Sequence, residues 1–313
     1  MKAYAVGVDV GGTTVKIGIF RTSGDLLLKW EIVTDKKDGG RNILPDIADS
    51  VKSMLSNKGI GLDEIQGIGI GIPGAILNRS IVNRAVNLGW DVVPVKDQLE
   101  QLFDGKVNVL VGNDANVAAL GEMWQGGGKG FKDIVMVTLG TGVGGGIIIN
   151  EQILDGTFGA AGEIGHMPVN PQETRVCGCG KKGHLEQYAS ATGIANTAKA
   201  VVADTKEETE LKGMDSITAK DVFDAAKRGD KVALEIVDYT AEILGRGLAM
   251  VAAVVDPQAF VIGGGVSKAG PILTDSIQKY YRKYAFHASE DTKFVLATLG
   301  NDAGIYGAVR MVL

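Results

Sequence analysis

The stretch 4-YAVGVDVGGTTVKIGIF-20 sets the reading of this chain. Residues 4–10 form an apolar run of strand length that carries one carboxylate, Asp9, near its end. Gly11-Gly12 predicts a turn, and Val15, Ile17 and Ile19 alternate with Lys16, Gly18 and Phe20, so a second strand returns as a hairpin. The pattern restarts at 133-DIVMVTLGTGVGGGIIIN-150, which predicts a strand over 133–139, a glycine-rich turn over 140–146 and a returning strand over 147–150. We read an internal structural repeat: two related halves, each opening with a hairpin that presents glycine backbone.

Working outward, a third strand is expected over 26–32 and a helix over 42–58, where Ile43, Ile47, Val51 and Leu55 share one face. A buried strand over 67–72 ends at Pro73-Gly74, a helix covers 95–103, and a strand over 107–111 runs into Asn113-Asp114. Val117, Leu120, Gly121 and Trp124 then lie on one face of a helix that Asp114 opens. Residues 157–186 read as a loop-rich insert and 203–217 as an exposed connection. Helices are expected over 189–201, 219–228 and 231–255, a strand over 259–262, and a last helix from Ala303. Two domains suit a chain of 313 residues. We expect a small α/β domain of 1–113 plus 300–313 and a large one of 114–299.

The 37 acidic and 32 basic residues leave a net charge of −5, which gives no electrostatic footprint for nucleic acid or an anionic membrane. The longest apolar run, Leu248 to Val255, is too short to span a bilayer. No secretory leader is read at the start, and Cys177 and Cys179 are too close for an unstrained disulfide, so a reducing cytoplasm is expected. Glycine is the outlier at 45 residues, and its clusters mark places where backbone comes close to a ligand.

Three clusters follow predicted strands. In the first, Gly11, Gly12, Thr13, Thr14 and Lys16 offer backbone N–H groups, hydroxyls and an ammonium to phosphate oxygens, with Asp9 placed to organise the water shell of Mg²⁺. The second, with Gly140, Thr141, Gly142, Gly144 and Gly145, repeats this without a lysine. The second is not a Walker loop, since it has no Gly-Lys-Ser/Thr, and a Rossmann reading fails because no helix follows directly. The third, Gly263, Gly264 and Gly265, suits a flat adenine against bare backbone. The plain alternative for each is a tight hairpin that needs only φ > 0.

Phosphoryl transfer needs a base for the attacking hydroxyl, and Asp114 at a strand end fits, with Asn113 beside it for a second hydroxyl. Its plain alternative is an ordinary helix N-cap. Glu163, His166 and Glu186 in the insert suit a polyol. His166, Cys177, Cys179 and His184, spaced His-x10-Cys-x-Cys-x4-His, make a tetrahedral donor set for Zn²⁺.

With these residues in view, the sequence resembles the ROK family (repressors, open reading frames, kinases), and within it the glucokinases. The resemblance rests on Asp9-Val-Gly-Gly-Thr13, Gly71-Ile-Pro-Gly74, Asn87-Leu-Gly-Trp90, Asn113-Asp-Ala-Asn116, Leu139-Gly-Thr-Gly-Val-Gly-Gly-Gly146, Gly162-Glu-Ile-Gly-His166, Cys177-Gly-Cys-Gly180, Gly263-Gly-Gly265 and Gly300-Asn-Asp-Ala303. It implies an actin-like (ribonuclease H-like) ATPase fold of two α/β domains, with the active site in the cleft between them. It also implies ATP with Mg²⁺ as donor and a hexose acceptor, glucose first, with fructose, mannose and N-acetylmannosamine as alternatives. By the same resemblance Asp114 is the general base, and Gly74, Asn113, Glu163, His166 and Glu186 meet the sugar. A zinc ligand role for His166 follows likewise, and a homo-oligomer, dimer or tetramer, is expected. One departure is His184, where the family pattern carries a third cysteine. A non-catalytic sugar sensor is the competing class, but such repressors carry a helix-turn-helix before the first glycine cluster, and here Asp9 is already the ninth residue.

Overall fold

A computed structural model describes residues 2–313. In chain order β1 (Tyr4–Val10), β2 (Thr14–Arg21) and β3 (Leu26–Val33) form a meander. After it come α1 (Ile43–Asn57), β4 (Ile65–Ile72), the short strands β5 (Ala75–Leu77), β6 (Ile81–Ala85) and β7 (Trp90–Val93), α2 (Val95–Leu102), β8 (Val109–Asn113) and α3 (Asp114–Gln125). The second half begins with β9 (Ile134–Leu139), β10 (Val143–Ile149) and β11 (Gln152–Ile153). It continues through α4 (Glu186–Ala189), α5 (Ala191–Asp204), α6 (Ala219–Lys227), α7 (Lys231–Val255), β12 (Ala259–Gly263), α8 (Pro271–Tyr284), β13 (Lys293–Leu296) and α9 (Ala303–Val312).

Two compact units result: Met1–Lys132 with Gly146–Gly162 and Thr298–Leu313, and Asp133–Gly145 with Glu163–Ala297. The expected boundary at 113/114 therefore differs from the contact division, because α3 packs on α9 inside the first unit. Gly121 meets the Ala303 carbonyl there, with a Cβ position only 2.2 Å away.

The first sheet is ordered β3-β2-β1-β4-β8, with β1, β4 and β8 parallel. Its two faces differ in residue size for a packing reason. In β4, Ile68, Ile70 and Ile72 join a core with Ile43, Ile47 and Val51 of α1. On the other face Gly67 and Gly69 lie so close to α9 that a Cβ on Gly69 would stand 1.7 Å from the Ala308 carbonyl. Glycine there lets a helix touch strand backbone, while each buried isoleucine opposite contributes about 1.5–3 kcal/mol. Replacing Gly69 with alanine would force α9 off the sheet.

The second sheet is ordered β11-β10-β9-β12-β13, with β9, β12 and β13 parallel. Here the expected turn over 140–146 is shorter than read, since Gly144 and Gly145 belong to β10. The small sheet β5-β6-β7, the helix α8 and the strand β13 were not expected from sequence. Trp90 is buried, and its Nε1 donates to the Gly40 carbonyl at 3.1 Å. The Asn87–Trp90 motif is therefore a core anchor at its tryptophan.

Candidate active site

The first glycine turn sits between β1 and β2. Gly11 N–H donates to the Thr14 carbonyl at 2.9 Å, closing the hairpin. Neither Gly11 nor Gly12 has φ in the left-handed region, and Gly11 is required by the tight hairpin, where a Cβ would lie 2.9 Å from the Thr14 carbonyl oxygen. A Cβ on Gly12 would meet nothing within 4 Å among the described residues, so the turn opens onto free space. Thr13 is exposed, and Thr14 pairs with Val33 in the ladder. Thr34, which sequence reasoning missed, holds the turn from behind with a hydrogen bond from its hydroxyl to the Gly11 carbonyl at 2.7 Å.

Asp9 faces Lys16 across the β1–β2 ladder. Burial pushes its carboxyl up to about 6, with Lys16 opposing the rise and the neighbouring Asp114 adding to it. Gly304 at the start of α9 packs on this carboxyl, a Cβ there lying 2.5 Å from Asp9 Cγ. Lys16 Nζ donates to the Asn301 carbonyl at 3.0 Å. The Asn301–Gly304 segment thus closes around the Asp9–Lys16 pair.

Asn113 and Asp114 end β8 and open α3 in the same unit. The cap of α3 is Asn113, whose Oδ1 accepts from the Ala115 and Asn116 N–H groups at 3.0 and 3.2 Å. The N-cap reading of Asp114 is thereby corrected: Asp114 is the first helical residue. Asn113 Nδ2 donates to the Gly74 carbonyl at 3.0 Å. Gly74 needs to be glycine, with φ 114° and a Cβ position 2.4 Å from the Arg84 carbonyl. Register places Asp9 beside Gly71 and Gly71 beside Gly112, so Asp9 and Asp114 lie at the same edge of one sheet.

In the second unit the other glycine turn is braced differently. Gly140 N–H donates to the Gly142 carbonyl at 3.0 Å, and Ala191 N–H at the start of α5 donates to the Gly140 carbonyl at 2.8 Å. Glu186 Oε2 accepts from the Val143 N–H at 3.1 Å and would stand 2.2 Å from a Cβ on Gly142. Thr141 is exposed beside it. The third cluster ends β12: Gly264 has φ 83° and lies against Leu139 backbone, while a Cβ on Gly265 would meet nothing within 4 Å among the described residues. Gly265, Val266 and Lys268 line a cavity of about 340 Å³ with Phe223 and Lys227 of α6. Those α6 residues come from forty positions upstream, and no local signal in the sequence marks them.

His166, Cys177, Cys179 and His184 meet, with one donor atom from each within 4.8 Å of the others. A tetrahedron built on bonds of about 2.1 Å to nitrogen and about 2.3 Å to sulfur has edges of about 3.4 Å (N···N) and about 3.6 Å (N···S). The observed separations are 3.4 Å for His166 Nδ1 to His184 Nδ1, 3.6 Å for Cys177 Sγ to His166 Nδ1 and 3.4 Å for Cys179 Sγ to His184 Nδ1. Burial, with His166 and Lys181 nearby, holds His184 below its ordinary value, which keeps the imidazole neutral as a ligand must be. The knuckle is shaped by hydrogen bonds from Cys177 N–H to the Lys181 carbonyl and from Gly180 N–H to the Cys177 carbonyl, both 2.8 Å. Glu163 is exposed, 3.9 Å from His166 Nε2. Cys177 Sγ also reaches Glu186 Oε1 at 3.5 Å, so Glu186 joins the donor cluster to the second glycine turn.

Comparison with known proteins bears on this arrangement. A glucokinase of Halalkalibacterium halodurans is 48% identical over 314 residues, taking in 99% of this chain and 94% of that protein. A glucokinase of Streptomyces coelicolor is 36% identical over 315 residues, taking in 98% and 96%. Among solved structures, a ROK family glucokinase from Streptomyces griseus in complex with glucose and AMPPNP matches with a TM-score of 0.72 and 35% identity, covering 98% of each chain. The architecture is the two-domain actin-like ATPase fold. The model of the ROK family matches residues 5–313, nearly end to end, and this chain belongs to that family.

Proposed function

We propose that the protein is an ATP-dependent hexose kinase with glucose as its preferred acceptor, a glucokinase. The observation that carries this reading is the edge of the first sheet. There an open glycine turn with Asp9 and Lys16 shares one strand-end row with Asp114. Ligands of open parallel sheets bind outside the carboxyl ends of the strands, and this edge offers phosphate-binding backbone beside a carboxylate base. The 48% identity to one glucokinase, and a similar glucokinase that binds glucose and AMPPNP, support glucose over other hexoses.

In this reading the Gly11–Thr14 turn and Lys16 bind the terminal phosphates, Thr141 and its glycines add a second set of donors, and the Gly265 cavity takes the adenine. Asp114 accepts the proton of the sugar hydroxyl as its oxygen attacks the γ-phosphorus. The bond to the ADP oxygen breaks, leaving ADP and the sugar phosphate. Asn113, fixed by its cap and by Gly74, holds the edge on which Asp114 stands. Glu163, His166 and Glu186 hydrogen-bond the remaining sugar hydroxyls. Magnesium supplies charge neutralisation on the nucleotide, and Asp9 is the carboxylate that would face its water shell. Zinc fits His166, Cys177, Cys179 and His184, and would fix a segment poor in apolar side chains. No helix among the described residues is long and apolar enough to cross a membrane, and cysteines without a disulfide at Cys177 and Cys179 suit a reducing cytoplasm. Assembly as a homodimer or tetramer is part of the same reading, and light scattering reads it.

A coupled assay across glucose, fructose, mannose and N-acetylmannosamine with MgATP tests the assignment. Highest kcat/KM with glucose is expected, and no turnover on any hexose would sink it.

A further inference from the structure

Thr34 follows the last residue of β3 and is 5% exposed. Its side chain and its backbone both reach the first glycine turn. The hydroxyl donates to the Gly11 carbonyl at 2.7 Å, and the N–H donates to the Thr13 carbonyl at 2.9 Å. Two peptide groups of the turn are thereby held in one orientation.

That orientation matters because a trans peptide points its C=O and N–H to opposite sides. With the Gly11 carbonyl held toward Thr34, the N–H of Gly12 in the same peptide plane faces away from it. The Gly11 N–H is already used within the hairpin, bonded to the Thr14 carbonyl. Gly12 sits where an added Cβ would meet nothing within 4 Å among the described residues. Without the hydroxyl, the Gly11–Gly12 peptide would lose that hold, and glycine on both sides would let it rotate. A β-branched side chain is stiff at χ1, so threonine fixes the direction of its oxygen better than a longer residue would.

We propose that Thr34 is a positioning residue for the phosphoryl donor: by holding the Gly11 carbonyl it aims the Gly12 N–H at the nucleotide's terminal phosphate. The inference rests on the reading of this turn as the nucleotide site. Thr34 itself touches no ligand. It acts through one peptide group.

Thr34→Val keeps the shape of the side chain and removes the donor, while Thr34→Ser keeps the donor. With each substrate varied separately, Thr34→Val raises the KM for MgATP about tenfold, the size of one charge-assisted hydrogen bond, and leaves the sugar KM within about twofold. Thr34→Ser returns the MgATP value to within about threefold of the parent. A general loosening of the fold would move both KM values together. Equal rises, an unchanged MgATP value, or no rescue by serine would each overturn the proposal. Should Thr34→Val fail to fold, the Gly12 amide of the unaltered protein gives an independent reading by nitrogen-labelled NMR. Adding MgATP is expected to shift it strongly, and an unmoved amide would overturn the proposal too. Calorimetry on the unaltered protein separates the two levels. Absent MgATP uptake removes the nucleotide reading and this inference with it, whereas uptake beside an indifferent Thr34→Val removes only the inference.

Discussion

The two glycine turns share a strand-turn-strand plan and differ in what braces them. At Gly11–Thr14 the outside brace is a hydroxyl on a carbonyl, from Thr34, which leaves backbone N–H character for a ligand. At Gly140–Val143 the brace is a carboxylate on an N–H, from Glu186, and no lysine stands nearby in the strand that follows. One turn is therefore arranged around donors beside an Asp–Lys pair, and the other already has a negative group at one of its amides. The difference teaches that repeated sequence patterns need not have repeated roles. In our reading both turns bring donors to the phosphates, but only the first does so beside an Asp–Lys pair, and only the second is tied to the His–Cys cluster through Glu186.

The comparison can be broken most severely at Asp114, which belongs to the first turn's sheet edge and has no counterpart at the second. Asp114→Asn is expected to cut kcat by about two to four orders of magnitude with sugar binding kept, the usual weight of a general base. Near-normal turnover would remove Asp114 from its role.

Next in size is the penalty at Asp9. Its carboxyl is raised from 3.8 to about 6, mainly by burial, so the folded, nucleotide-free protein holds this proton longer than the unfolded chain does. Below pH 3.8 the group is protonated in both states and costs nothing; as pH rises to about 6 the penalty grows, and above that it stays at about 3 kcal/mol. Asp9→Asn should therefore raise the unfolding free energy without nucleotide at pH 7 and 8, lose that gain near pH 4, and abolish activity. A variant no more stable than its parent at pH 8 would contradict the assigned burial.

Gly142→Ala sharpens the contrast from the other side. The new methyl would displace the Glu186 carboxylate from Val143. The lost charge-assisted hydrogen bond is worth about 1.5–3 kcal/mol, and a weaker sugar affinity should accompany it. An unchanged exchange rate at the Val143 amide would argue against the brace. Smallest is Gly12→Ala, where free space surrounds the added Cβ. Stability should stay within about 0.5 kcal/mol while the KM for MgATP rises about tenfold. Unaltered MgATP kinetics would mean the space is not a ligand's.

Zinc stands apart from that series and is checked by metal analysis of purified protein, with close to one ion per chain expected. Less than about half an ion, without chelator treatment, would refute the site despite its tetrahedral spacing.

Much of this was legible in sequence because it is local. Alternating Val15, Ile17 and Ile19 mark a strand wherever they occur, and the four His and Cys ligands fall within nineteen residues. Long-range facts were not. Thr34 looks like any threonine after a strand until β3 is laid beside β2. Phe223 and Lys227 line the Gly265 cavity only because α6 packs there. Gly144 and Gly145 read as turn from glycine's habits, yet strand pairing overrides the preference. Trp90 has no local signal for its place either: it is buried and its Nε1 donates to the Gly40 carbonyl, fifty residues upstream.

The most direct trial of the whole account is isothermal titration of the purified protein with MgATP, alone and with saturating glucose. We predict one nucleotide bound per chain, with glucose 6-phosphate and ADP appearing when both substrates are present. Flat titrations under both conditions, from protein shown to be folded, would contradict it.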